Sequence, residues 1–73
     1  MTPPVDPQAI VLRLKSAVEM NGGVTVMAKA SGLNASTLDS YVRGTSLPGA
    51  LAITCLCRAM SISADWLLFG EVA

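Results

Sequence analysis

The sequence contains no histidine, one tryptophan, one tyrosine and one phenylalanine, and its charged residues amount to only 14% of the chain. Five basic residues balance five acidic ones, so the formal net charge is zero. Without histidine, and with the acidic residues scattered along the chain, no general acid–base pair can be recognised. No glycine-rich phosphate loop follows a strand pattern. We therefore expect that the protein is not an enzyme.

The cysteine content is equally small. Cys55 and Cys57 are the only cysteines, and two residues apart on a helix they point in different directions. Since no histidine is available to complete a metal site, we expect two small apolar side chains in a reducing compartment, with no metal and no other cofactor. Apolar runs are short and the N-terminus MTPPVDPQ lacks a secretory signal pattern. These features predict a cytoplasmic protein.

What the sequence does contain is apolar surface: 52% of its 73 residues are hydrophobic. That is enough for the core of one small domain. Helix formers are abundant and strand-like alternation is scarce, which predicts an all-α fold. Residues 1–7, with three prolines, are expected to form an extended lead-in. Residues 8–70 form the domain, and residues 71–73 a C-terminal tail or the start of a linker.

Capping residues and apolar spacing predict five helices. Their expected ranges are about 7–20, 24–31, 35–43, 49–60 and 64–69. Asp6, Asn34 and Ser63 are the expected N-caps. The expected inward residues are Ile10, Leu14, Ala17 and Val18 in the first helix, Val24, Met27 and Ala28 in the second, Leu38, Tyr41 and Val42 in the third, and Ile53, Leu56, Cys57 and Met60 in the fourth. In the last helix, Trp66 and Leu67 are the expected core pair, with Trp66 buried against the first and fourth helices.

The second and third predicted helices form the most informative unit. Each has about two turns, and Gly32 in their connection permits the left-handed backbone of a tight turn. The small Ala28 allows a close crossing, while Leu33 and Leu38 attach both helices to the core. This pattern is typical of a helix-turn-helix, whose second helix can enter a DNA major groove.

The segments MAKASGLNASTLDSYVRG, LP and SISADWLLFGE resemble the helix-turn-helix domain of the lambda-type Cro and repressor family, and phage and prophage repressors in particular. The resemblance covers about residues 8–71. It implies a five-helix, lambda-repressor-like DNA-binding domain. It also implies a transcriptional regulator of the repressor type that binds specific double-stranded DNA sequences in a bacterial cytoplasm or a phage-infected host, associated with the nucleoid.

The same resemblance implies a set of DNA-binding residues. The groove-facing positions are Ala35, Ser36, Thr37 and Ser40. Asn34, as the cap, would leave backbone N–H groups near a phosphate. Lys29 and Arg43 are the main candidates for contacts with the phosphate backbone, followed by Arg13 and Lys15.

Some features favour other interpretations. Val24 stands where the family often has a glutamine that contacts DNA, and Asp39 on the third helix would repel phosphate. Together with the zero net charge, they favour an alternative: a helix-turn-helix fold that binds another regulator and not DNA. The polar residues of the third helix also fit an ordinary solvated helix face with a cap.

A single domain with so few cations should bind DNA weakly, so we expect a homodimer. Leu68, Phe69 and Val72 at the C-terminus are the candidate dimer interface, because large apolar groups at a surface favour association. The alternative is that Phe69 folds back on the first helix.

Overall fold

The chain folds into five α-helices without a strand over residues 6–70, the part that the computed structural model describes. The helices are α1 (Pro7–Met20), α2 (Val24–Ser31), α3 (Ala35–Arg43), α4 (Ala50–Met60) and α5 (Ala64–Phe69). The all-helical prediction is confirmed. Helix α4 begins one residue later than predicted, because the backbone of Gly49 is extended and forms the N-cap.

The three predicted N-caps are confirmed. The Asp6 carboxylate accepts a hydrogen bond from the backbone N–H of Gln8 at 3.0 Å, and Ser63 Oγ accepts one from the N–H of Trp66 at 3.0 Å. Asn34 caps α3 in the same way. Pro7 is therefore the first residue of α1 rather than part of an extended lead-in. The rest of the lead-in and the tail, residues 1–5 and 71–73, lie outside the described residues.

The C-terminus of α3 is closed by a left-handed residue. Gly44 has φ +82°, its N–H donates to the Tyr41 carbonyl, and the next N–H, of Thr45, donates to the Ser40 carbonyl at 3.0 Å. These two hydrogen bonds pair carbonyl groups that have no N–H partner within the helix. A Cβ at Gly44 would lie 3.4 Å from Val11, an ordinary contact distance, so the positive φ rather than a lack of space favours glycine here.

Helix α4 ends in the same motif but with a serine. Ser61 has φ +54° and is the only non-glycine residue with positive φ among residues 6–70. The N–H of Ile62 donates to the Cys57 carbonyl at 3.0 Å. A side chain in this conformation is strained, so α4 ends at a sterically unfavourable residue.

All five helices contribute side chains to one core. The buried core cluster consists of Leu14, Ala17, Val18, Met27, Ala28, Leu38, Leu56, Met60 and Leu67. The predicted inward residues of α1 are all buried, and Val24, Tyr41, Val42, Ile53 and Cys57 are half-buried against this cluster. The sequence pattern did not identify Ala52, which is also buried. Burial raises the pKa of the Cys57 thiol.

Helix α5 packs against α1 and α4 as expected, and of its predicted core pair only Trp66 differs from the prediction. Leu67 is fully buried, whereas Trp66 is only half-buried at the edge of the core. Six residues of helix can direct only a narrow face inward, and the branched Leu67 side chain occupies that face. The indole ring therefore keeps contact with solvent.

The packing of the other helices fixes the position of α3. Helix α1 packs against α2, α3 and α5, and α2 packs against α3 and α4. Helix α3 is thus held by α1 and α2. Within the described part of the chain, no helix is long and apolar enough to cross a bilayer.

Candidate nucleic-acid interface

Helix α3 is attached to the core along one side only. Leu38 is fully buried, and Tyr41 and Val42 are half-buried against the core cluster. At 100° per residue, Ser36 and Arg43 lie on the opposite side of the helix from these three. The core therefore fixes α3 while its polar face is presented outward.

The connection between α2 and α3 is short and well defined. Gly32 is left-handed with φ +77°, and Leu33, half-buried, packs against the core. Asn34 then adopts an extended backbone (φ −69°, ψ 137°) as the N-cap of α3. Ala28 is buried in the core cluster, and α2 packs against α3. The two short helices are therefore held at a fixed angle by a three-residue connection and a shared core.

The start of α3 is an exposed, mainly polar surface. Residues 34–37 are all exposed. The Asn34 Oδ1 atom accepts hydrogen bonds from both the backbone N–H and the hydroxyl of Ser36, at 2.9 and 2.6 Å. Only the oxygen of the Asn34 carboxamide is used in this cap, so its NH₂ group remains a surface donor.

Two hydroxyls of α3 donate their protons within the helix. Ser36 donates to Asn34 Oδ1, and Ser40 donates to the Ser36 carbonyl at 3.1 Å. A hydroxyl that donates in this way still offers oxygen lone pairs as acceptors. Ser36 is exposed and Ser40 half-buried. The polar face therefore presents hydrogen-bond acceptors of fixed direction.

The C-terminal half of the same face carries an ion pair. The Arg43 Nε atom lies 2.8 Å from the Asp39 Oδ2 atom, and the two side chains are 71% and 43% exposed. Asp39 therefore faces Arg43, and the two charges cancel at this end of α3. An exposed pair at i,i+4 spacing contributes only about 0.3–0.5 kcal/mol, so a phosphate group can compete for Arg43.

The other candidate cations lie apart from this pair. Lys29 is exposed in the last turn of α2, and Lys15 is exposed on α1. Arg13 has a different role: its Nε donates to the Leu67 carbonyl at 2.8 Å and its Nη2 to the Leu68 carbonyl at 3.1 Å. Arg13 thus closes the C-terminus of α5, which nothing in the sequence pattern indicated.

The remaining predicted residues are distributed over the surface. Phe69 is 54% exposed and Leu68 is half-buried, while Val72 lies outside the described residues. Cys55 and Cys57 are both half-buried free thiols. Within residues 6–70, no three metal-ligating side chains come together.

A groove that the sequence pattern did not identify lies beside the C-terminal end of α3. Its volume is about 470 Å³. It is lined by Pro7, Gln8, Val11, Leu12, Arg43, Gly44 and Leu47. Most of this lining is apolar, and Leu12 and Leu47 are 66% and 51% exposed.

No protein-family model matches the chain, and comparisons with curated proteins and with solved structures give no match either. The resemblance to the Cro and repressor family therefore stays a prediction from the sequence.

Proposed function

We propose that the protein binds double-stranded DNA with α3 in the major groove, as a dimeric transcriptional regulator of the repressor type. In this proposal α2 and α3 form a helix-turn-helix. The observation that carries it is the exposed polar start of α3, residues 34–37, on a helix held from behind by the fully buried Leu38. A rigid helix with one free polar end is the element that a major groove admits.

The residue types at this end suit close approach to base edges. Ala35, Ser36 and Thr37 are small, so the α3 backbone can come near the floor of the groove. The methyl groups of Ala35 and Thr37 can contact the C5-methyl of thymine. Long side chains would hold the α3 backbone further from the bases. Small residues therefore favour direct contact between the helix and the base edges.

The hydrogen bonds within α3 indicate which base edges the hydroxyls would bind. Ser36 and Ser40 already donate their protons to Asn34 and to the helix backbone. The lone pairs that remain accept from the N6 amino group of adenine or the N4 amino group of cytosine. The Asn34 amide group adds a donor for a base acceptor or a phosphate oxygen. The proposal therefore favours sites with amino groups in the contacted positions.

Contacts with phosphates would position this helix on the duplex. Lys29 on α2 and Arg43 on α3 are exposed cations on the two packed helices. Each phosphate contact releases condensed counterions and makes binding salt-dependent. With only these cations and a net charge of zero, one copy would bind weakly, and a dimer would double the number of contacts.

One observation favours a second function, a module that binds another regulator protein instead of DNA. Asp39 lies on the polar face and neutralises Arg43 at 2.8 Å. A DNA-binding face usually carries a basic excess, and here the end of α3 is neutral. An apolar groove adjoins the same end. In this alternative, α3 would position a protein-binding surface.

A selection from random duplex DNA distinguishes the two functions. The full chain, linked head to tail as a tandem dimer, is incubated with the pool at about 50 mM salt, where phosphate contacts are strong. The DNA-binding proposal predicts enrichment of a two-part sequence with half-sites about one helical turn apart. If no sequence is enriched and the tandem dimer binds no duplex at this salt, the protein-binding function takes its place.

A further inference from the structure

The groove beside α3 shares only Arg43 with the proposed DNA contact. Val11 and Leu12 on α1 form one wall, Leu47 after α3 contributes to the other, and Arg43 lies at the rim. Residues 34–37, which the proposal places at the base edges, are at the opposite end of α3. The apolar lining of the groove is therefore free to bind a partner while DNA is bound, and Arg43 alone is shared.

Two leucines of this face are exposed to solvent. Leu12 and Leu47 are mostly exposed although they line the groove. Side chains that stand at the edge of an apolar groove can enter an identical groove related by a two-fold axis, because each copy then supplies both the projecting residue and the receptor. Exposed leucines of this kind indicate an association surface.

The charges of Asp39 and Arg43, at the rim of the groove, can pair with the same two charges of a second copy. Asp39 and Arg43 place one negative and one positive group side by side, 2.8 Å apart. A two-fold axis beside this pair reverses the order of the charges in the second copy. Arg43 of one copy then faces Asp39 of the other. The zero net charge of the chain adds no overall repulsion between copies.

The choice of a second copy as the occupant rests on the proposed function. One copy offers few phosphate contacts, and a dimer would double them.

We propose that a second copy of this chain docks in the groove formed by α1 and the end of α3, with Leu12 and Leu47 as apolar contacts and Asp39–Arg43 pairs across the two-fold axis. This places the dimer interface on the α3 side of α1. It replaces the α5 surface around Phe69 as the dimer contact. The groove is small, so the expected dissociation constant is micromolar or weaker.

Charge-swap variants test the proposal without DNA. Sedimentation equilibrium of the full chain should show a reversible dimer of the wild type. Asp39→Arg gives each copy two cations at the rim and Arg43→Asp gives each two anions, so each variant alone should dimerise at least about tenfold more weakly. An equimolar mixture of the two should form a heterodimer at near wild-type strength. Circular dichroism checks that both variants, altered at exposed positions, keep their helical content.

Apolar variants test the location of the interface. Leu12→Glu should weaken the dimer at least about tenfold, whereas the matched Phe69→Glu on α5 should leave it unchanged. The proposal is overturned if the wild type stays monomeric up to about 1 mM. It is also overturned if the charge-swap mixture gains no heterodimer, or if Phe69→Glu disrupts the dimer and Leu12→Glu does not.

The dimerisation measurements contain no DNA, so their result is independent of whether the protein binds DNA. A tandem dimer that binds duplex DNA, made from chains that stay monomeric when free, would support DNA binding and reject this interface. A groove dimer that binds no duplex would support the interface and reject DNA binding.

Discussion

The guanidinium of Arg43 lies 2.8 Å from the carboxylate of Asp39, one turn earlier on the exposed face of α3. The pair belongs to both proposed surfaces, because Arg43 lines the apolar groove and is also a proposed phosphate contact. In free protein it neutralises a cation that DNA binding would use. Breaking the pair should therefore change electrostatic binding without disturbing the fold.

Replacing Asp39 with Asn should strengthen DNA binding. The change removes a charge that repels phosphate and releases Arg43, so affinity should rise on specific and scrambled duplexes alike, by up to about tenfold at low salt. A tandem dimer titrated by fluorescence anisotropy measures this effect. Asp65→Asn on α5 is the matched control and should leave affinity unchanged. An unchanged affinity and salt slope for Asp39→Asn would show that Arg43 does not contact phosphate, whereas weaker binding would show that Asp39 acts in the dimer contact.

Leu38→Ala should cost about 2–5 kcal/mol of stability, because it removes a fully buried branched side chain and leaves a cavity. Urea unfolding followed by circular dichroism measures the change. Leu12→Ala removes the same atoms from a side chain that is 66% exposed and should cost less than about 0.5 kcal/mol. Equal effects of the two substitutions would mean that Leu38 does not attach α3 to the core.

Ser61→Gly should stabilise the protein by about 0.5–1 kcal/mol. Ser61 ends α4 with φ +54°, a conformation that glycine adopts without the steric cost of a Cβ. Part of the gain is offset by the greater freedom of glycine in the unfolded chain. Thermal unfolding measures the difference, and Ser46→Gly, in the exposed α3–α4 loop, is the control. A loss of stability in Ser61→Gly would contradict the left-handed end of α4.

Arg13→Ala should destabilise the protein by about 1–3 kcal/mol, since two α5 carbonyls lose a charged donor. Arg13→Lys should recover only part of this loss, because a single ammonium group cannot reproduce the fork of two donors. Lys15→Ala, an exposed cation on the same helix, is the control and should have little effect. The half-buried Trp66 in α5 provides a fluorescence signal, and unfolding curves identical for all three variants would exclude this cap.

Much of the fold follows from local signals in the sequence. Asp6, Asn34 and Ser63 are residues whose side chains cap helices, and Gly44 permits a left-handed end, so the helix limits are encoded within a few residues of each terminus. The buried position of Leu38 follows from its helical spacing with Tyr41 and Val42. Such features depend on neighbours in the chain and are therefore predictable without a structure.

The features that escaped prediction depend on contacts between distant residues. Arg13 reaches carbonyls more than fifty positions later, and no local pattern marks such a partner. The groove requires α1 and the end of α3 to meet at a particular angle. The relative burial of Leu67 and Trp66 depends on how α5 rolls against α1 and α4. At the candidate site, the residues of α3 were predicted, whereas the pairing of Arg43 with Asp39 needed the side-chain geometry.

The central claim is that the start of α3 reads base identity while Lys29 and Arg43 contact phosphates. The test titrates a tandem dimer and four of its variants, Ser36→Ala, Thr37→Ala, Lys29→Ala and Arg43→Ala. Each protein is titrated on the selected duplex, on duplexes with single base changes and on a scrambled duplex. All titrations are made at two salt concentrations. The two cation variants should weaken binding to all duplexes alike and lower the salt slope by about one unit per lost phosphate contact.

The two hydroxyl variants should instead change the preference among bases by about 1–3 kcal/mol at one or two positions in each half-site, with the salt slope unchanged. The two patterns differ because phosphate contacts carry no base identity. If none of the four variants alters binding, or if the hydroxyl variants weaken all duplexes equally, α3 does not read DNA sequence and the account is contradicted.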